Sequence, residues 1–372
     1  MKTVCKQDFC NGCGACIQRC NKNAIKLEDS FESLNAILCD DLCINCGACV
    51  KVCPVNEKVE FKKSINWYQG WANDEQIRKN SASGGFATAI ANYFIKAGGV
   101  VCTCVFKNGN FVYTMIDDLE KLKSIAGSKY VKSKTGNAYK DVKISLQDGK
   151  KVLFIGLPCH VAGLLNFVGD SLNDRLFTID LICHGTPSVK LLEKRLQECH
   201  YELKQIKDMR FRVKYDFRLY DGSKALCDPR VLDPYMFTFL RGMSYTHNCY
   251  ECLYAGKYRI SDITIGDSWG SELSEVEKKK GISLALCQTE KGKKLLEEAD
   301  LELLPVDIET AIKNNNQLNH PMQVTGKRAK FFKYISQNKS YTIAAYRADK
   351  IVGLRQLVKT ILIKLKIFGG GS

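Results

Sequence analysis

The sequence predicts a small α+β domain followed by a larger mixed α/β domain, and three observations predict it. A cysteine run is duplicated within the first 53 residues, a polar, lysine-containing linker runs from Val55 to Ser64, and beyond it short apolar strands alternate with helical stretches. At 372 residues the chain suffices for about two to three domains, each burying its own core. The expected divisions are 1–60, 61–340 and a terminal helix with a Gly/Ser tail over 341–372. Its 45% hydrophobic and 26% charged residues are those of a globular protein, which excludes a disordered chain.

The duplicated run reads Cys10-Asn11-Gly12-Cys13-Gly14-Ala15-Cys16-Ile17-Gln18-Arg19-Cys20 and again Cys43-Ile44-Asn45-Cys46-Gly47-Ala48-Cys49-Val50-Lys51-Val52-Cys53, an offset of 33 residues from Cys10 to Cys43. A cubane of four irons and four sulfides needs four thiolates. The spacing Cys-x2-Cys-x2-Cys-x3-Cys brings three from one tight loop and sends the fourth to the other cluster. Cys10, Cys13, Cys16 and Cys53 are therefore assigned to one 4Fe-4S cluster, and Cys43, Cys46, Cys49 and Cys20 to its partner. Gly12, Gly14 and Gly47 suit the turns such loops require. Zinc has no use for a third thiolate two residues on, and a disulfide framework needs an oxidising compartment that nothing here suggests. Asn21 stands where a proline usually follows such a run, against Pro54 after the second. The first domain thus reads as a two-cluster bacterial ferredoxin.

Nineteen cysteines behind a start without an apolar signal region lead us to expect reduced thiols and a cytoplasmic, at most membrane-peripheral, protein. The formal charge of +15 would ordinarily raise nucleic acid as a partner. Each 4Fe-4S cluster with its four thiolates carries about −2 that the count leaves out, so part of the surplus is counter-charge and nucleic acid is not expected. What remains would steer an acidic redox protein, such as a ferredoxin or flavodoxin, or face anionic lipid.

In the second domain, Trp67 to Ala72 reads as the opening strand. Ser81-Ala82-Ser83-Gly84-Gly85-Phe86-Ala87-Thr88 then runs into a helix that closes on Gly98-Gly99. A serine and two glycines at a helix start leave amides free for a phosphate, although such a stretch taken alone is more often just an N-cap. The strand Val100 to Phe106 follows, with Cys102 and Cys104 alternating like core residues. A polar loop, Gly127-Ser128-Lys129-Tyr130-Val131-Lys132-Ser133, could approach a cofactor. Strand Lys151 to Ile155 leads to Pro158-Cys159-His160, and strand Leu176 to Ile182 leads to Cys183-His184. Both put a cysteine at a strand's carboxyl end, where open α/β sheets build their sites. With Cys249 and Cys252 they give four thiolates, the number for a third cluster. His160 and His184, each in a Gly- or Pro-rich turn, are expected to hydrogen-bond behind the cysteines rather than to catalyse. Tyr258 to Ile265 reads as an alternating strand feeding Asp267, Lys313 to Pro321 as a loop, and Cys5, Cys39, Cys199, Cys227 and Cys287 as structural thiols.

Taken together, Ser83-Gly84-Gly85, Leu157-Pro158-Cys159-His160, Asp180 to Ser188, Cys249-x2-Cys252, Asp262-Ile263 and Gly266-Asp267-Ser268-Trp269-Gly270 resemble the coenzyme F420 hydrogenase/dehydrogenase beta subunit family over roughly residues 65–320. The resemblance implies a flavin- and iron-sulfur-binding domain with FAD and a 4Fe-4S cluster. It makes Cys159, Cys183, Cys249 and Cys252 the ligands of that cluster. It makes Ser83, Gly84, Gly85, Thr88, Lys129, Tyr130, Ser133 and Asp267 flavin contacts. His160 departs from it, standing where many members have glutamine.

The expected activity is that of an iron-sulfur flavoprotein oxidoreductase. Single electrons would exchange through the clusters with FAD and a small-molecule substrate, with a link to surface polysaccharide metabolism that the resemblance suggests. Three readings compete: a deazaflavin dehydrogenase, an electron-relay subunit without its own substrate, and a zinc protein that has lost redox function. At the end of the chain, Leu354, Leu357, Val358, Ile361, Leu365 and Phe368 share one helical face, with Arg355, Lys359 and Lys366 elsewhere. Such a helix either packs on the protein or lies on a membrane surface. Gly369 to Ser372 resembles an appended linker.

Overall fold

The computed structural model describes residues 2–228 and 231–365. Both cysteine runs fold alike. Gly14 (φ 74°) and Gly47 (φ 70°) occupy the left-handed region ahead of one short helix each, Ala15–Arg19 and Ala48–Lys51. A side chain there would be strained, so the glycines make the turn. Between the runs, β1 (Ile25–Asp29) and β2 (Leu34–Leu38) pair antiparallel with Ile25 opposite Leu38.

The large domain is built on a mixed sheet. Its strands are β3 (Asn66–Ala72), β4 (Val100–Lys107), β5 (Asn110–Ile116), β6 (Val152–Gly156) and β7 (Leu176–Leu181). After a separate ribbon of β8 (Met209–Arg210), β9 (Tyr220–Asp221) and β10 (Lys224–Ala225), the sheet is completed by β11 (Ile263–Asp267), β12 (Ser283–Cys287) and β13 (Leu301–Leu304). The spatial order is β13-β3-β12-β11-β7-β6-β4-β5. β4, β6, β7 and β11 run parallel, with antiparallel strands on either side. β6 is buried along its whole length, as a strand covered on both faces must be.

Alternation sets the layers. Leu153 and Ile155 pack under helices Phe86–Lys96 and Glu290–Glu298, whereas Val152 and Phe154 pack under Ala138–Gln147 and Pro158–Val168. Cys13, Ala15 and Val52 join the second of these cores, so the amino-terminal domain docks on that face. Gln18 rivets it there: its side chain donates to Thr135 Oγ1 at 3.2 Å and accepts from the Tyr139 amide at 2.9 Å.

Several expectations change. Cys159 and His160 lie in the first turn of helix Pro158–Val168 rather than in a loop, because Pro158 supplies the preset φ of a first helical position. The strand expected over Tyr258–Ile265 shortens to β11, and Arg259 within the lost part turns inward at 2% exposure. The loop expected over Lys313–Pro321 begins inside helix Ile308–Asn314 and continues as a short turn, Asn316–Leu318. The linker is tied down, its Lys62 amide bonding the Arg259 carbonyl. Cys199 and Cys227, read as separate thiols, form a disulfide; the fold brings their Cα atoms to 5.9 Å, within bridging range.

The terminal segment holds two helices. Tyr341–Ala348 belongs to the large domain's core, packed with Pro234–Leu240 and Gly326–Ser336. Helix Lys350–Lys364 leaves Leu354, Leu357, Val358, Ile361 and Leu365 exposed. The apolar face is therefore not the face that packs on the protein; Gly353 and Ile363 are the buried positions. Lys366, Phe368 and Gly369–Ser372 lie outside the described residues.

Candidate functional site

In the amino-terminal domain Cys10, Cys13, Cys16 and Cys53 are all buried. Burial pushes the Cys16 thiol up, and its neighbours Cys10, Cys53 and Cys49 add to the shift. Cys49 is raised by burial and then by Cys20 and Cys43. The fourth cysteine of each run therefore crosses to the other run, as the spacing requires. The second quartet is the outer one, with Cys46 exposed and Cys20, Cys43 and Cys49 half-buried. Cys5, which lacked any ligand spacing, shares a small cavity with Cys10, Cys13, Cys16 and Cys53. Its thiol is raised foremost by hydrogen bonding to Cys10 and Cys53, so it supports their sulfurs. Only the return of the chain from β2 reveals this, since Val4 pairs with Ala36.

Four further cysteines meet beyond the carboxyl ends of β6 and β7. Cys159 follows β6, Cys183 follows β7, and Cys249 and Cys252 come from a turn 66 residues or more downstream. Burial raises Cys183 to about 12, with Cys249 and Cys252 contributing. Burial raises Cys159 likewise, with Cys183, Cys252 and Cys249 adding and Lys132 opposing. Among the described residues no three or more His, Cys, Asp or Glu side chains converge on a single metal ion. A cubane asks for no such sphere, because each of its four irons takes one thiolate.

The inner amino-terminal quartet and this third quartet are neighbours. A Cβ on Gly163, in the helix that carries Cys159, would come within 2.9 Å of Cys13 Sγ. Glycine there lets the two quartets approach. Arg259 braces the third quartet: it donates to Asp180 Oδ1 and the Leu181 carbonyl, both at 2.9 Å, and to the carbonyl of Tyr254. It thus ties the Cys252 turn to the end of β7, two residues before Cys183.

Beside Cys183 a cavity of about 250 Å³ opens at the carboxyl ends of the parallel strands. Ser83, Gly85, Thr88, Lys129, Tyr130, Ser133 and Asp267 line it, as do Cys183 and His184. Gly84 does not. A Cβ at Gly84 would sit 2.4 Å from the Gly70 carbonyl oxygen, so its role is close packing of the helix start on β3. Asp267 faces the cavity with its charge engaged, since Arg212 donates to its two carboxylate oxygens at 2.9 and 2.8 Å. Arg212 had no sequence signal; an arginine in a short loop between strands is ordinary until the fold buries it to 4% exposure. Burial lowers Lys129 to about 8, and its Nζ donates to the carbonyls of Ile125 and Ala126. Tyr130 stacks on Phe239, ring centroids 4.3 Å apart. His160 lies outside the cavity, with its Nδ1 3.0 Å from the Tyr113 hydroxyl. Burial foremost, and Lys132 after it, hold it down at about 3, so its ring is neutral.

Comparison with known protein families matches the chain in three parts. Residues 9–57 match the 4Fe-4S dicluster domain. Residues 67–140 match the amino-terminal part, and residues 149–307 the carboxyl-terminal part, of the coenzyme F420 hydrogenase/dehydrogenase beta subunit. Among solved structures, a chain of the F420-reducing NiFe hydrogenase complex from Methanosarcina barkeri is similar at 20% identity. That match covers 69% of this chain and 90% of that one, with a TM-score of 0.49. With both parts of one family's fold in order behind a dicluster domain, the chain belongs to the coenzyme F420 hydrogenase/dehydrogenase beta subunit family, as an oxidoreductase subunit that carries electrons on iron-sulfur clusters.

Proposed function

We propose that this chain is an iron-sulfur flavoprotein with three 4Fe-4S clusters and one FAD, acting on a small organic substrate. The observation that carries the reading is the placement of Cys183, which belongs to the third cysteine quartet and also lines the cavity. When bound, the clusters would supply one-electron chemistry and the flavin two-electron chemistry.

The residues fit those groups. Three quartets lie in series, the outermost exposed at Cys46, the next buried against Gly163, the last at the cavity wall. Leu42, Ile44 and Val50 are exposed around the outer quartet, where a redox protein or redox subunit would dock. At the cavity, Ser83, Gly85 and Thr88 begin helix Phe86–Lys96, whose free amides suit a pyrophosphate. Tyr130 and Trp269 offer ring faces, and Arg212 with Asp267 offers a fixed dipole to a heterocycle edge. At about 250 Å³ the cavity falls just under the ~300–1,000 Å³ typical of small-molecule sites. It suits the ring system, with the remainder running along the open helix start. Deazaflavin as the substrate, and a role in polysaccharide metabolism, stand as alternatives within this reading.

FAD binding tests it. Flavin fluorescence should quench to a stoichiometry of one per chain on titration with protein, and Thr88→Trp, which fills the cavity, should weaken binding by at least tenfold. A wild-type protein with its full iron and no flavin affinity would reduce the chain to an electron relay.

The exposed terminal helix carries Lys350, Arg355 and Lys359 and no acidic residue between 350 and 365, which suits an anionic bilayer. Among the described residues no helix is long and apolar enough to cross a membrane. The full chain should float with vesicles of anionic phospholipid and not with zwitterionic ones. Unchanged flotation after deletion of residues 351–372 would end the idea.

A further inference from the structure

Lys132 is 6% exposed, yet the cofactor contacts on its own loop face away from it. Val131 and Ser133 line the cavity, whereas Lys132 turns to the opposite side. There its Nζ donates to the carbonyl of Asn11, next to Cys10, at 3.0 Å. Its own amide donates to the carbonyl of Pro187, four residues past Cys183, at 2.9 Å. Among the described residues no carboxylate forms an ion pair with it, although most of the other buried cations have one: Arg78 with Glu277, Arg195 with Asp233, Arg212 with Asp267, Arg259 with Asp180.

A buried ammonium without a counter-charge is costly. The sulfurs of Cys249, Cys159, Cys10 and Cys183 all lie near enough to act on the Lys132 charge. Those four belong to two different quartets, and metal binding requires their sulfurs as thiolates. A lysine at this place makes physical sense as the shared counter-ion of two anionic clusters.

We propose that Lys132 sets the reduction equilibrium of both buried clusters, the one held by Cys10, Cys13, Cys16 and Cys53 and the one held by Cys159, Cys183, Cys249 and Cys252. The inference rests on the assignment of these quartets as cluster ligands. Reduction adds one electron and one negative charge to a cluster, with no bond made or broken. A fixed cation beside it favours the reduced form. One lysine serving two neighbours raises both together, which leaves the step between them unchanged while altering both relative to the outer cluster. Lys132 is a positioning and tuning residue and touches no substrate.

The test is a potentiometric titration of the full chain, prepared and reconstituted without oxygen, followed by electron paramagnetic resonance. Dithionite serves as the one-electron reductant. Lys132→Gln, which can still donate to the Asn11 carbonyl, should disfavour reduction of two clusters by at least tenfold, a fall of about 59 mV each for one electron. The third signal, from the quartet containing Cys46, should stay in place as an internal control, and Lys132→Arg should restore both shifts. Three loaded clusters with unmoved potentials would overturn the proposal, as would equal movement of all three. Loss of iron from both Lys132→Gln and Lys132→Met, with Lys132→Arg intact, would make the residue a scaffold and overturn it too. If the wild type loads only two clusters, the assignment of the third quartet fails. The cluster beside Cys10 then still reports on Lys132 by itself.

Discussion

Protein purified without oxygen is expected to hold about 12 irons and about 12 labile sulfides per chain, and Cys183→Ala is expected to hold about 8 of each. The loss is four atoms rather than one because a cubane that loses a ligand at a cavity wall, open to solvent, falls apart. Cys183 is that ligand: it is half-buried, lines the cavity, and interacts with Cys249 and Cys252. Flavin should leave with the cluster, since the cavity loses one wall. Cys287→Ala is the control. That thiol is fully buried in β12, away from every quartet, and its replacement should leave iron at the wild-type level. Iron unchanged by Cys183→Ala, or a wild type with about 8 irons, would mean that the third quartet is only a group of core thiols.

Arg259→Met should be the most damaging single change outside the cysteines, costing about 3–5 kcal/mol as a broken buried ion pair. Arg259 and Asp180 have side chains 2% and 0% exposed, and removing the guanidinium leaves the carboxylate with no cation in a dry site. The same change frees the carbonyls of Tyr254 and Leu181, so the Cys252 turn loses its tether to β7. Urea unfolding should show a lower midpoint, and iron should fall along with it. The double variant Arg259→Met/Asp180→Leu removes the stranded charge and should recover much of the stability. It should not recover the iron, because the tether is still missing. A single variant within about 1 kcal/mol of wild type would show that the pair is solvated in solution and that Cys252 is held by other contacts.

Much of the site was legible because its chemistry is encoded at short range. The duplicated run assigns eight ligands by spacing alone, since a cubane held by a tight loop calls for three thiolates at that spacing. Gly14 and Gly47 were legible for the same local reason. The cavity wall was legible only through the family motifs. Seven of the eight residues so chosen face it, although none of them announces a flavin by itself. Gly84 was drawn into that set by its neighbours, whereas its own constraint is the carbonyl of Gly70 on β3.

Other features depend on contacts that no window of sequence contains. Arg212, Arg259 and Lys132 are ordinary basic residues in the chain, and each becomes consequential when a partner 55, 79 or 121 residues away meets it in a buried place. Cys5 gains its role from strand pairing, and helix Lys350–Lys364 shows which face it packs only once its neighbours are in position. The sequence by itself determined the metal chemistry and the two-part organisation, because ligand spacing and strand periodicity are local. Tertiary structure alone decided the order of the three quartets, the cation between two of them and the cavity beside the last, because burial and electrostatic pairing are properties of residues brought together from afar.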